Sequence, residues 1–149
     1  MKFIIVYASM TGNTEEIAEL IAEGIRQEGH EVVLKESHEC SASQLLEYDG
    51  YIMGLYTWGD GELPDEFEDF FEELDEVDLA GTRTALFGSG DTSYAEFCGA
   101  VDLLENKIKE RGATVVQESL KLEFNPRDDE KETCRSFGRQ YVQHSKEPV

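Results

Sequence analysis

Positive charge is scarce in this chain: 13 Lys and Arg stand against 33 Asp and Glu, a formal net charge of −20. Solubility asks only roughly 2–8 units of a small domain. The field repels nucleic acid and anionic membrane, steers positively charged partners inward, and favours a monomer. Cysteine is sparse as well. Cys40, Cys98 and Cys134 are odd in number, widely spaced and without a Cys-x-x-Cys pair, which excludes a disulfide frame or zinc site and suits reduced thiols of an intracellular protein. His30, His38 and His144 have no ligand spacing either. No apolar run approaches membrane-span length, and Phe3-Ile4-Ile5-Val6 after Lys2 is too short for a signal peptide. A cytoplasmic protein is expected. There is no repeat, linker or low-complexity segment, so residues 1–149 are expected to form a single domain.

What is present is an ordinary apolar content of 40%, enough for a core despite the charge. Strand and helix patterns alternate throughout. Lys2–Tyr7 is a nearly continuous apolar run, the signature of a strand buried on both faces. Thr14 to about Gln27 is helical by its Ile17, Leu20, Ile21, Gly24, Ile25 stripe. Glu31–Glu36 and Gly50–Tyr56 read as strands, with a short helical turn at Ala42–Leu46 between them. A third helix is predicted from about Pro64, striped by Leu63, Phe67, Phe70, Phe71, Leu74 and Val77. Thr82–Phe87 is the fourth strand and Tyr94–Gly112 the next helix. Thr114–Gln117 and Leu120–Phe124 make an interrupted fifth strand, and Arg127 to about Ser145 the last helix. This order predicts an α/β fold: a doubly wound five-stranded parallel sheet with helices on both faces. Ligands of such sheets sit beyond the carboxyl ends of the strands, at the switch in strand order. The segments after strands one, three and four are therefore the places to search.

After strand one comes Tyr7-Ala8-Ser9-Met10-Thr11-Gly12-Asn13-Thr14, a hydroxyl-rich loop opening into a helix. A helix start offers unpaired N–H groups and a partial positive charge, together an anion site. Ser9, Thr11, Asn13 and Thr14 add side-chain donors, and Gly12 lets the backbone approach closely. One cap would need one hydroxyl; four donors point to phosphate. The loop has no Lys or Arg, so that phosphate would be held by neutral donors and a helix dipole. After strand three comes Thr57-Trp58-Gly59-Asp60-Gly61-Glu62-Leu63, with the chain's only Trp in a glycine-rich turn. After strand four, Gly88-Ser89-Gly90-Asp91-Thr92-Ser93-Tyr94 reads as a second glycine-rich turn ending in an aromatic. Trp58 and Tyr94 could stack on both faces of a flat ligand.

On Ser9-Met10-Thr11-Gly12-Asn13-Thr14, Thr57-Trp58-Gly59-Asp60-Gly61 and Gly90-Asp91-Thr92-Ser93-Tyr94-Ala95-Glu96-Phe97-Cys98, the chain resembles the flavodoxins, specifically the short-chain FMN-binding kind, over essentially its whole length. Only a residue or two near Glu118 interrupts strand five, where long-chain members carry an extra loop. The resemblance implies FMN phosphate on Ser9, Thr11, Asn13 and Thr14, with Met10 and Gly12 completing that loop. It implies the isoalloxazine between Trp58 and Tyr94, with backbone of Gly59, Asp60, Ser89, Gly90 and Asp91 along its polar edge; Gly61, Phe97 and Cys98 complete the cofactor-binding positions. Gly59 matches the glycine whose peptide turns toward flavin N5 on one-electron reduction. Tyr56 stands where some members have a phosphate-binding hydroxyl, and Thr57 is the substitute. The implied function is a low-potential one-electron carrier, not an enzyme, passing electrons between a flavodoxin/ferredoxin reductase class of donor and electron-accepting enzymes.

The residues also bear on other classes. No Lys follows the first loop as a P-loop requires, and Ser93 replaces the third glycine of a dinucleotide fingerprint after Gly88-Ser89-Gly90. A phosphorylated receiver would want an Asp ending strand three, where Tyr56-Thr57 stands. An FMN-dependent NAD(P)H:quinone reductase on the same scaffold is the main alternative, and needs a second pocket that these short loops do not supply. Finally, Asp60–Asp78 carries eleven acids and no base, a solvated helix face that would also steer basic redox partners.

Overall fold

A computed structural model describes residues 1–9, 12–57, 61–91 and 98–145. In its sheet β1 (Lys2–Ala8) is flanked in parallel by β2 (Glu31–Glu36) and β3 (Gly50–Tyr56), with Ile5 in register with both Leu34 and Ile52. β4 (Arg83–Gly90) pairs with β3, and the last position is filled by two short segments, β5 (Thr114–Val115) and β6 (Leu120–Glu123), both parallel to β4. The order is β2-β1-β3-β4-β5, with β6 also on β4. The direction of winding reverses between β1 and β3, where ligands of such sheets bind, a rule of which flavodoxins are themselves an instance.

The unbroken apolar run of β1 follows from cover on both faces. Ile4 and Val6, with Met53, Leu55 and Leu86, face Phe67 and Phe70 of α2 (Asp65–Glu73) and Val101, Leu104 and Ile108 of α3 (Gly99–Glu110). Phe3 and Ile5, with Ile52, Ala85 and Phe87, face Ile17, Ile21 and Ile25 of α1 (Asn13–Gln27) and Cys134, Phe137 and Tyr141 of α4 (Asp128–Ser145). The period-2 alternation of a strand thus feeds two cores at once. α1 and α4 approach so closely that a Cβ on Gly24 would lie 2.0 Å from the Arg135 carbonyl oxygen, and one on Gly138 would lie 2.2 Å from that of Ile21.

Several boundaries differ from expectation, most by a residue, and β5 stops at Val115 where Gln117 is expected. Gly88-Ser89-Gly90 is strand, not turn, because it is held from both sides: Leu55 and Tyr56 pair with Gly88 and Ser89, and Lys121 to Glu123 pair with Gly88 to Gly90. The helix predicted to run from Pro64 through Val77 starts at Asp65 and tightens into a 3-10 turn at Leu74–Glu76. α3 ends at Glu110, with Gly112 at φ 96 turning the chain toward β5. Cys40, Cys98 and Cys134 are all free thiols, and among the described residues no helix is long and apolar enough to cross a membrane.

Candidate functional site

The carboxyl ends of β1, β3, β4 and β6 converge on one cavity of about 220 Å³, lined by Ser9, Asn13, Thr14, Tyr56, Thr57, Ser89, Gly90, Asp91 and Phe124. Parallel strands bring their carboxyl ends to one rim, so residues from distant parts of the sequence meet there.

The start of α1 forms one wall. Gly12 occupies the N-cap at φ 91, a left-handed conformation that suits glycine, and its own side chain cannot cap. The capping falls to Ser9, whose Oγ accepts the N–H of Gly12 at 3.1 Å and of Glu15 at 3.3 Å. Of the first-turn N–H groups that a helix cannot satisfy internally, this leaves those of Asn13 and Thr14, both cavity residues. With its acceptor sites occupied, the Ser9 hydroxyl has its proton free to donate. Thr14 Oγ1 and Ser89 Oγ are 2.8 Å apart and almost fully buried, which ties the helix start to β4.

The opposite wall comes from β3 and β4. Thr57 N donates to the Ser89 carbonyl at 3.0 Å, and the Thr57 hydroxyl accepts the Ala100 N–H at 3.3 Å. Tyr56 turns its hydroxyl to Glu66 Oε2 at 2.6 Å; burial, then that hydrogen bond, raise its pKa. The site is thereby linked to the first turn of the acidic helix α2. Along that helix Asp69, Glu72, Glu73 and Glu76 border a shallow depression. Lys107 reaches Asp75 at 2.6 Å.

Seven of the expected residues therefore share one cavity: Ser9, Asn13, Thr14, Thr57, Ser89, Gly90 and Asp91. Gly12 stands beside it at the helix start, and Gly61 follows at φ 96. Cys98 lies apart from these seven. It is fully buried in the core under α3, its thiol directed at the Leu122 carbonyl 4.0 Å away, and it does not line the cavity. Burial pushes that thiol up to about 12. Met10, Thr11, Trp58, Gly59, Asp60, Tyr94 and Phe97 lie outside the described residues. Phe124 was missed. The usable signal was the strand-end rule itself, applied to strands one, three and four but not to the fifth.

The geometry can be set beside known proteins. The family model described as Flavodoxin matches residues 5–138. "Probable flavodoxin 2" of Bacillus subtilis is 51% identical over 145 residues, covering 97% of this chain and 96% of that protein. The crystal structure of oxidised Flavodoxin 1 from Bacillus cereus superposes with a TM-score of 0.92 at 47% identity, covering 97% of this chain and 99% of that one. That of oxidised Flavodoxin 2 from the same organism gives 0.92 at 51% identity, covering 96% and 99%. Matched this closely over nearly its whole length, the chain belongs to the flavodoxin family, FMN-binding proteins that carry electrons rather than catalyse a reaction.

Proposed function

We propose that this flavodoxin is a low-potential one-electron carrier of the cytoplasm. It binds FMN non-covalently at the strand-end cavity and shuttles electrons between a reductase and acceptor redox enzymes. The observation that carries this reading is a cavity whose described lining is neutral apart from Asp91 and holds no Lys or Arg, at the switch point of the sheet.

The donor set fits a phosphate. The Ser9 hydroxyl keeps its proton for an anion while its lone pairs take two backbone N–H groups. Asn13, Thr14 and Thr57 add neutral donors, and the start of α1 adds its dipole. Thr11, with Met10 and Gly12, completes this end. The buried Thr14–Ser89 contact fixes one hydroxyl against the other, and a hydroxyl that accepts a hydrogen bond is a better donor of its own. At the other end Trp58 and Tyr94 would hold the ring between them, with backbone of Gly59, Asp60, Ser89, Gly90 and Asp91 along its polar edge.

FMN, when bound, supplies the group that accepts and releases electrons. The chain sets how much negative charge that group tolerates. Asp91 is on the cavity wall and α2 is densely acidic, so added negative charge meets repulsion, with no Lys or Arg among the described lining residues. Each tenfold loss of affinity on reduction lowers a one-electron potential by about 59 mV. Gly59 is suited to re-aim its peptide as the flavin's proton state changes, lacking a Cβ.

The acidic α2 face supports basic-surfaced partners, the reductase class among them, docking by electrostatic steering as a complex of single copies. The three free thiols support a reducing compartment.

The test is to titrate the apoprotein with FMN and then offer NAD(P)H with and without a separate flavodoxin or ferredoxin reductase. One FMN per chain, reduced only when the reductase is present, is expected. NAD(P)H oxidation by the chain and FMN alone would favour a quinone reductase instead.

A further inference from the structure

Phe124 is placed at odds with ordinary burial. It is 50% exposed, and its backbone sits at φ 56, a left-handed conformation that is an outlier for a bulky side chain. Leu122, two residues earlier, is buried in the core over α1 and α4. Had β6 run on, strand periodicity would put Phe124 on that same face. The left-handed turn takes the ring out to the rim, where it lines the cavity with Ser9, Asn13 and Asp91.

The turn is held firmly. The Phe124 N–H donates to the Gly90 carbonyl at 3.0 Å, immediately beyond the Gly90–Glu123 register of β4 and β6. Pro126 follows Asn125 and restricts it to extended backbone. The chain therefore holds an aromatic ring in a strained position that leaves half of it in water. A conformation of this kind persists where the surroundings over-determine it, and such positions cluster at ligand sites.

We infer that Phe124 is an apolar wall of the cofactor site, whose ring packs on the carbon skeleton of FMN while the hydroxyls and the helix start hold its phosphate. This rests on the FMN site proposed above and adds a binding residue from the fifth strand. Phe124→Gly separates the two roles the ring could have. Glycine accepts the left-handed backbone without strain, so the turn survives and only the ring is lost. Phe124→Asn, which also tolerates that conformation, is the second variant.

Three quantities are read: FMN affinity of the apoprotein by quenching of flavin fluorescence, competition by inorganic phosphate, and the urea midpoint of the apoprotein. We expect both variants to bind FMN about tenfold or more weakly, in keeping with the apolar area a half-exposed ring has left to bury, with phosphate affinity unchanged and the apo midpoint no lower than that of the wild type, since the strain at φ 56 is relieved. Unchanged FMN affinity would overturn the inference. So would a parallel loss of phosphate affinity or a fall in the midpoint, since the ring would then act through the fold. Wild-type protein is measured first: failure to take up FMN there would overturn the cofactor reading and this inference with it, whereas wild-type binding that the variants share would overturn the inference alone.

Discussion

The two helix layers on either side of the sheet hold charge differently, and the difference lies in α2. On the α1–α4 side acids are answered by arginines: Arg135 bonds Glu23 at 3.0 Å and Glu132 at 3.3 Å, and Arg139 bonds Glu132. On the α2–α3 side, Lys109 and Lys121 pair with Glu105 and Asp102 of α3, but the acidic segment from Asp60 to Asp78 contains no base of its own, and among its described residues the one carboxylate in an ion pair is Asp75, held by Lys107. The layers differ in packing too. α1 and α4 meet backbone to backbone at Gly24 and Gly138, whereas α2 is a short helix whose inward Phe67 and Phe70 leave an acidic outer face. One layer is built to be closed and the other to be met. The cavity rim draws on both, with Thr14 from α1 and Tyr56 tied to α2 through Glu66.

The largest effect should come from breaking the closed layer. Gly24→Ala puts a methyl against the Arg135 carbonyl, 2.0 Å away before relaxation. It should cost about 1–3 kcal/mol of stability, as overpacking does, even though alanine favours a helix by roughly 0.5–1 kcal/mol over glycine. A urea midpoint that rises would show that the helices separate freely, and the contrast between the layers would fail.

At the shared rim, Ser89→Ala removes the buried partner of Thr14. FMN affinity should fall about five- to tenfold, the scale of about 1 kcal/mol for one hydrogen bond. Equilibrium dialysis against FMN measures it, and an unchanged affinity would separate the two hydroxyls from the site.

The open layer is tested by Asp69→Asn, Glu72→Gln and Glu76→Gln together. Association with a basic reductase should slow by roughly fivefold at low ionic strength, the difference vanishing as salt screens the field. Neutralising Glu23 and Glu132 on the other layer should leave that rate unchanged. Equal slowing by both sets would mean that only total charge matters and not its placement.

The smallest effect is in alkali. Burial raises Cys40 from 9.0 to about 11 and Cys98 and Cys134 to about 12. The folded state thus keeps thiols protonated that the unfolded chain ionises near pH 9. Their contribution is fully present below that pH and is lost as pH rises through the folded values. Urea midpoints should hold level from neutral pH to about 9 and decline above it. A decline that starts near neutrality would contradict this.

How far the sequence foretold these layers depends on what each signal measures. Gly50–Tyr56 is delimited as observed because its apolar run reports two-sided burial directly, whereas Glu31–Glu36, an edge strand with only Val32 buried, follows from its short Val32-Val33-Leu34 run. The end of β4 was not so delimited, since Gly88 and Gly90 suggest a turn until their pairing with β3 and β6 is known. The donors after strand one were legible because phosphate chemistry demands those residue types near a helix start. That Ser9 caps the helix from outside it is set by the fold of the loop, which residue types alone do not give. Phe124 escaped because its left-handed turn is imposed by a tertiary hydrogen bond to Gly90.

The most direct test of the central claim is an anaerobic reductive titration of the FMN-loaded protein that resolves its two one-electron potentials. If the cation-free cavity makes this chain a low-potential carrier, the two steps will separate and the second will lie well below that of free FMN. A single two-electron step, or a second potential at or above the free value, would contradict it.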